Sequence, residues 1–161
     1  IVIAHRNIQH VIIPFFIKII ESSAFANCKY LKNLEFPKNS QLEVIKMSGF
    51  LNIGIKTVTL PIHLKEIDKF AFDCHSLKNI EILPESEIKS IPENCFRSGL
   101  ICSISLPLRL IHVCRSFGSF KLIEINENSE LESLDLNAIE SSKNVLIMVP
   151  AENRVNFTKF V

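Results

Sequence analysis

Cysteine and histidine are the residue types of this 161-residue chain that could supply a nucleophile or hold a metal, and the chain has five of each. Cys74 precedes His75, and His112 lies two residues before Cys114. A cysteine nucleophile needs a base that is close in space and is oriented by a third group, and neither pair is accompanied by such a group. Zinc would need a C-x-x-C pair or spaced histidine ligands, and the chain has neither. We therefore expect no enzyme activity, no metal and no other cofactor.

The charged residues limit the partners that the chain can bind. Lys and Arg number 18 and Asp and Glu 17, so the formal net charge is +1. Nucleic acid or an anionic membrane would require a concentrated excess of Lys and Arg. Residues 1–20 are rich in apolar side chains, but His5, Arg6 and His10 interrupt them. A bilayer crossing needs about 18 or more consecutive apolar residues. We expect no nucleic-acid partner and no membrane insertion.

Prolines at near-constant intervals reveal the elements that must position these side chains. They are Pro14, Pro37, Pro61, Pro84 and Pro107, at steps of 23, 24, 23 and 23 residues. The same run, apolar-x-x-apolar-x-apolar, precedes each of them. Self-similarity at a period of about 20–50 residues is the signature of stacked repeats. The chain is therefore expected to be a repeat protein.

The cleanest copy of the unit is Leu64–Pro84, LKEIDKFAFDCHSLKNIEILP. Alternation in its last part predicts a strand whose fourth and sixth positions point into the coil, while the third and fifth point out. One coil cannot bury its own apolar side chains, so the coils must stack with their strands parallel and about 4.8 Å apart. The copy at residues 110–117 is shortened, and we expect a local distortion there.

The remaining half of each unit predicts the return side of the coil. It is short, rich in β-branched residues and ends in a small residue followed by Phe, which favours short strands and 3₁₀-type turns over long helices. At the C-terminus, Val155, Phe157 and Phe160 predict a short helix after Pro150.

The unit L-x-x-I-x-L-P-x-x-L-x-x-I-x-x-x-A-F-x-x-C resembles the BspA-type, or Treponema-type, leucine-rich repeat. Leu64–Ile80 and Ile20–Cys28 are its closest copies. The resemblance implies a mostly β leucine-rich-repeat solenoid with a parallel concave sheet, short convex strands, 3₁₀ turns, about six repeats of 23 residues and a short C-terminal helical cap. We expect a single domain over residues 1–161, with a partial repeat at 1–13, repeats at 14–149 and the cap at 150–161, as a piece of a longer protein.

The resemblance also carries an expected function. Members of this family are typically cell-surface or secreted proteins of bacteria and parasitic protists, and are linked to adhesion and protein binding. It therefore implies a cell-surface or secreted location and a protein partner, such as a host or other extracellular protein.

Outward positions of the stacked strands are expected to form rows across the concave sheet. Lysines dominate the second-position row, small polar residues the third, and glutamate alternates with threonine or serine in the fifth. Such a face of mixed sign predicts a docking surface for a polar protein, with the charges fixing register. The predicted binding residues are Lys32, Asn33, Glu35, Lys56, Thr57, Thr59, Lys78, Asn79, Glu81, Ser103, Ser105, Lys121 and Glu124.

Three alternatives stay open for this face. The lysines and glutamates could serve only to keep a sheet soluble, because exposed ion pairs contribute about 0–1 kcal/mol each. The chain could instead be a structural spacer or scaffold segment of a large surface protein. Glycan binding is disfavoured, since the outward rows contain no aromatic side chains.

The repeat also predicts the role of two cysteines. Cys28 and Cys74 occupy the same position in coils two apart, which separates them by roughly 10 Å. That distance exceeds the limit of about 7 Å between Cα atoms for a disulfide. We expect both to be small, buried side chains at the turn, as free cysteines commonly are.

Overall fold

The computed structural model of the chain describes residues 7–118, 121–135, 145–149 and 156–158. The described residues form fourteen short strands, and none of them belongs to an α-helix. Strands alternate along the chain between two rows, and every observed pairing is parallel. The chain is thus a mostly β solenoid of stacked coils, as predicted.

The first row contains the strands that precede the prolines, and we call it the odd row. Its strands are β1 (His10–Ile12), β3 (Asn33–Glu35), β5 (Thr57–Leu60), β7 (Asn79–Ile82), β9 (Ser103–Leu106), β11 (Leu122–Ile125) and β13 (Leu146–Met148). Hydrogen bonds join β1 to β3, β5 to β7, and β9 through β11 to β13. Each strand alternates as predicted: in β7, Asn79 and Glu81 are exposed, while Ile80 and Ile82 are buried.

The second row lies on the return side of the coils, and we call it the even row. Its strands are β2 (Ile19–Ile20), β4 (Val44–Ile45), β6 (Glu66–Ile67), β8 (Ser90–Ile91), β10 (His112–Val113), β12 (Ser133–Asp135) and β14 (Asn156–Thr158). Two parallel groups, β2-β4-β6 and β8-β10-β12-β14, make up this row. The short strands predicted for the return side are therefore present.

A column of phenylalanines runs through the core between the two rows. The rings of Phe25, Phe50, Phe72, Phe96 and Phe117 stack face to face, with centroids 5.0–6.1 Å apart and interplanar angles of 10–15°. All five side chains are buried. Because each ring belongs to a different coil, the column joins five successive coils through one continuous set of contacts.

The backbone around these rings forms a third ladder of bonds between coils. The amide of Phe25 donates to the carbonyl of Gly49 at 2.9 Å, and that of Phe50 to the carbonyl of Ala71 at 2.9 Å. The amide of Phe96 donates to the carbonyl of Ser116 at 2.8 Å. This ladder therefore adds a third set of bonds between coils to the pairings of the two strand rows.

Residues with left-handed backbone conformation shape the phenylalanine corner. Ser23, Ser48, Phe70 and Asn94 each lie two residues before a stacked phenylalanine and have φ between 57° and 60°. They alternate with turns closed by i to i+3 hydrogen bonds, such as the 3.1 Å bond from the amide of Ala26 to the carbonyl of Ser23. The corner is consequently a series of single turns, where the sequence predicted 3₁₀-type turns.

The shortened coil keeps its place in the stack by means of a buried serine. Ser116 is fully buried, and its Oγ lies 2.7 Å from the carbonyl oxygen of Pro92 and 2.8 Å from that of Cys114. Phe117, next in sequence, stacks on Phe96 at 5.5 Å. The shortened copy at residues 110–117 therefore still places its phenylalanine in the column.

The C-terminal segment differs from the predicted helical cap. Asn156–Thr158 form β14, which pairs in parallel with β12 and aligns Phe157 with Leu134. An extended strand lets the backbone satisfy the hydrogen-bonding groups on the open edge of β12, which a helix would leave unpaired. Residues 150–155 and 159–161, which complete the predicted helix, lie outside the described residues.

The phenylalanine column predicts where the fold is most sensitive. Replacing Phe72→Ala, at the centre of the column, should lower the free energy of unfolding by about 3–5 kcal/mol, because it leaves a cavity between two rings. Urea denaturation followed by circular dichroism measures this loss. Phe16→Ala is the matched control, since Phe16 is 59% exposed and its loss should cost less than about 1 kcal/mol. Equal losses in the two variants would contradict a structural role for the column.

Candidate binding face

The outward side chains of the odd row form one continuous surface, which we call the odd-strand face. It consists of the second, third and fifth positions of each repeat unit: Lys32, Asn33 and Glu35 in the β3 coil, and their equivalents in the other coils. The structure places all thirteen predicted binding residues on this face, and each of them is exposed.

A backbone bulge recurs at the start of β3 and β7, where two consecutive residues face outward. The amides of Lys32 and Asn33 both donate to the carbonyl of Gln9, at 2.9 and 3.2 Å. The amides of Lys78 and Asn79 share the carbonyl of Lys56 in the same way, at 2.8 and 3.1 Å. Two residues opposite one carbonyl break the strict alternation of a strand, so the second and third positions are both exposed.

The strand register aligns the fifth positions in a column across the face. Thr59 lies opposite Glu81, and Ser105 opposite Glu124, as predicted. The hydroxyl of Thr59 donates a 2.7 Å hydrogen bond to Oε2 of Glu81, and this bond orients the carboxylate. At the first coil, Nε2 of His10 lies 3.2 Å from Oε1 of Glu35.

The second positions form a parallel column of cationic side chains. Lys32, Lys56 and Lys78 occupy three successive coils, Cys102 interrupts the column, and Lys121 follows. Within the described part of the chain, no ion pair involves any of these four lysines. Their ammonium groups are therefore available to a partner.

The charged side chains of the even row form ion pairs with one another. Lysines and glutamates of successive coils pair there: Lys46 with Glu21 at 2.8 Å, Lys65 with Glu43 at 3.0 Å and Lys69 with Glu93 at 3.2 Å. Lys89 pairs at 3.2 Å with Glu130, two coils away. The hydrogen bond from the ammonium of Lys65 lowers the pKa of the Glu43 carboxyl. Charges of the even row thus compensate one another along the stack, and those of the lysine column do not.

Apolar side chains occupy the ends of the odd-strand face. Leu146 and Met148, in β13, are 61% and 52% exposed, and Ile12, in β1, is 57% exposed. Leu122 in β11 is half-buried beside them. All thirteen residues predicted for the site are polar, although the repeat also places these apolar residues at outward row positions.

The two candidate pairs, Cys74 with His75 and His112 with Cys114, lie within the described residues, and neither is arranged as a nucleophile and its base. Cys74 is buried and lies 3.1 Å from the carbonyl oxygen of Phe50, and burial raises the pKa of its thiol to about 12, while His75 is exposed. Burial likewise raises the pKa of Cys114, and Nδ1 of His112 is engaged by Oγ of Ser133 at 2.8 Å. In both pairs the raised thiol pKa disfavours the thiolate that a nucleophile would need.

Disulfides, metal sites and membrane-spanning helices were considered in the same residues. All five cysteines lie within the described ranges, and none is bridged to another. Cys28 and Cys74 are both buried, as predicted. Among the described residues, no group of three His, Cys, Asp or Glu side chains could hold a metal ion. In those same ranges, no helix has the length and apolar character to cross a bilayer.

Known families and structures resemble this chain. Residues 3–115 match the family described as BspA type leucine rich repeat region, in 6 copies. No curated protein sequence matches the chain.

Three solved structures are similar to the chain. The pneumococcal vaccine antigen PcpA shares 21% sequence identity at a TM-score of 0.58, over 88% of this chain and 40% of that one. A leucine-rich repeat protein from Bacteroides ovatus shares 19% identity at a TM-score of 0.47, over 81% of this chain and 44% of that one. A leucine rich cell surface protein from Faecalibacterium prausnitzii shares 13% identity at 0.39, over 89% and 60%. The chain thus spans between 40% and 60% of the length of these proteins, and the likeness to PcpA shows a common fold.

Thiol labelling tests the assignment of the cysteines to packing. With a maleimide at about pH 7, Cys102 should react first because it is exposed, whereas Cys74 should react only as fast as the chain unfolds. Raising the pH to about 10 should leave Cys74 unmodified, because burial holds its thiol pKa at about 12. Peptide mass spectrometry over time measures both rates. Similar rates at Cys74 and Cys102 would show that the turn is open and Cys74 reactive.

Proposed function

The chain belongs to the BspA-type leucine-rich repeat family, and from this premise we propose that it is a non-enzymatic module that binds another protein through the odd-strand face. The observation that carries the proposal is the unequal pairing of charge on the two rows. Lys46, Lys65, Lys69 and Lys89 of the even row have carboxylate partners in neighbouring or nearby coils, whereas Lys32, Lys56, Lys78 and Lys121 have none in the described structure.

Unpaired charge on one face supports a binding role more strongly than a role in solubility. A face that only needs to be soluble is served equally well by lysines and glutamates that pair across coils, as they do on the even row. A column of exposed ammonium groups beside a column of carboxylates instead offers a partner two stripes of opposite sign. Such stripes guide encounter and select the register of docking.

The apolar end of the face supplies the other component of a binding surface. Leu146 and Met148 are both more than half exposed. Apolar side chains that become buried in an interface provide affinity, and the surrounding charged residues provide specificity. We therefore assign affinity to the β13 end of the face and register to the lysine and glutamate columns.

The location and partner follow from the family in the same proposal. The parent protein is a cell-surface or secreted protein, and PcpA, which shares the fold, is a vaccine antigen. The partner is accordingly an extracellular protein, including host proteins, and the role is adhesion or surface recognition.

A structural spacer is the second candidate, and the even row favours it. Four ion pairs between neighbouring or nearby coils, together with the buried phenylalanine column, make a stiff stack that could hold another region away from a surface. A spacer needs no partner on the odd-strand face, and this separates it from the first proposal.

Charge reversal on the face tests the binding proposal. A display library of extracellular protein ectodomains should contain binders of the purified chain. Replacing Glu35→Lys, Glu81→Lys and Glu124→Lys together should weaken binding of a recovered ectodomain by about tenfold or more, since it reverses one stripe. Biolayer interferometry measures the affinity, and circular dichroism confirms folding.

A matched variant controls for the change in net charge. Glu21→Lys, Glu66→Lys and Glu132→Lys reverse three exposed glutamates of the even row, and affinity should change less than about twofold. Equal losses in both variants would refute the assignment to the odd-strand face. Failure of every ectodomain to bind would favour the spacer.

A further inference from the structure

Two columns of opposite charge lie side by side on the odd-strand face. Three coils carry both members, a lysine at the second position and a glutamate at the fifth: Lys32 and Glu35, Lys78 and Glu81, Lys121 and Glu124. The two positions are three residues apart, or about 10 Å along an extended strand. In the described structure no such lysine contacts the glutamate of its own or a neighbouring coil.

This pattern is complementary to itself under one symmetry operation. Consider two copies facing each other, related by a two-fold axis that is parallel to the stack and lies between the columns. The rotation exchanges the columns and keeps each coil at its own level, so Lys32 of one copy faces Glu35 of the second copy. The same holds for Lys78 with Glu81 and for Lys121 with Glu124.

The other two-fold axis that could relate two docked faces gives the opposite result. A two-fold axis parallel to the strands reverses the order of the coils in the second copy. Each column of one copy then faces the same column of the other copy. Lysine would then face lysine and glutamate would face glutamate, which is repulsive. The charges therefore select one arrangement, in which the stacks run in the same direction.

The uncharged positions agree with this arrangement. Thr59, opposite Lys56, adds no charge of like sign, and Asn33 and Asn79 lie close to the axis, where an amide can donate to and accept from its symmetry copy. At the β13 level, the second-position residue Val145 faces Met148 of the second copy. Leu146, at the third position, lies close to the axis beside Leu146 of that copy, so both exposed apolar side chains, Leu146 and Met148, become buried.

The area available is sufficient for a specific contact. Seven strands at about 4.8 Å give a face about 30 Å long between the outer strands, and side chains extend this footprint to about 35 by 20 Å. Each copy would then bury about 700 Å², or about 1,400 Å² for the pair, which falls within the range of specific protein interfaces.

We infer that the chain self-associates as a two-fold dimer through the odd-strand face, with each lysine column against the glutamate column of the second copy. The inference rests on the proposed function in that it takes this face to be the interaction surface, and it names a second copy of the chain as an occupant. Binding of any other protein to the face would compete with the dimer.

Sedimentation equilibrium of the purified chain tests the dimer. At about 50 mM NaCl the chain should sediment as a concentration-dependent dimer, and about 500 mM NaCl should raise the dissociation constant by about tenfold or more, because salt screens exposed charge. A chain that stays monomeric at 200 µM in low salt, a concentration about 200 times a micromolar dissociation constant, would overturn the inference.

Paired charge reversals identify the surface and the symmetry. One variant carries Lys32→Glu, Lys78→Glu and Lys121→Glu, and the other carries Glu35→Lys, Glu81→Lys and Glu124→Lys. Each alone should be monomeric, because its two columns have the same sign. An equimolar mixture should form a one-to-one heterodimer, and a chain with all six substitutions should regain the homodimer. The lysine variant leaves the bond between Thr59 and Glu81 intact, so it stays informative if the glutamate variant unfolds.

The outcomes also separate this inference from the proposed function. A wild-type chain that is monomeric, yet binds an ectodomain in a manner sensitive to the glutamate substitutions, would reject the dimer and retain the binding module. A dimer that persists in either single-sign variant would place self-association on another surface and overturn the inference. A salt-sensitive dimer abolished in both variants and restored in their mixture is the result we expect.

Discussion

Stacking of the five core phenylalanines is the contact on which the other features of the molecule depend. The rings lie 5.0–6.1 Å apart and nearly parallel, so each coil is fixed at about the strand spacing from the next one. The two rows of parallel strands and the backbone ladder at the corner then share one register along the stack. Because that register is kept from coil to coil, equivalent side chains on the surface become columns.

The columns give two surfaces of the same stack different properties. On the even row, opposite charges of neighbouring coils pair along the stack and stiffen it. On the odd row, the second and third positions before strands such as β3 and β7 are both exposed, and the lysines there form no ion pair in the described structure. The face that we propose for binding is thus separate from the ion pairs and the core, so its outward residues can vary without disturbing the packing.

Much of this arrangement is predictable from the sequence, because a repeat of 23 residues fixes which residues become neighbours. The spacing of the prolines predicted the parallel rows and the exposure of all thirteen candidate residues. The bulge was not predictable from alternation, since strict alternation would turn Lys32 inward. The left-handed conformation at the phenylalanine corner was not predictable either. Ser23, Ser48 and Phe70 adopt it, whereas no glycine of the described chain, the residue type that favours it, has a positive φ.

The C-terminal segment shows a further limit of the sequence. Val155, Phe157 and Phe160 fit a helix as well as a strand over so short a segment, and periodicity alone cannot separate the two. At Asn156–Thr158 the segment forms a strand because it pairs with the open edge of β12. That edge exists only in the stacked coils, so the local sequence does not reveal it. Ser116 is a similar case, since its hydroxyl compensates for a shortened turn whose carbonyls converge only in the folded chain.

Acetylation of lysines, measured by mass spectrometry, tests whether a partner binds the odd-strand face, because the two rows carry comparable sets of lysines. The chain would be acetylated alone and when saturated with a bound ectodomain. The account predicts that binding slows acetylation of the odd-strand lysines, namely Lys32, Lys56, Lys78 and Lys121, and leaves the even-row lysines unchanged, namely Lys46, Lys65, Lys69 and Lys89. Protection of the even-row lysines with no change on the odd-strand face would contradict it.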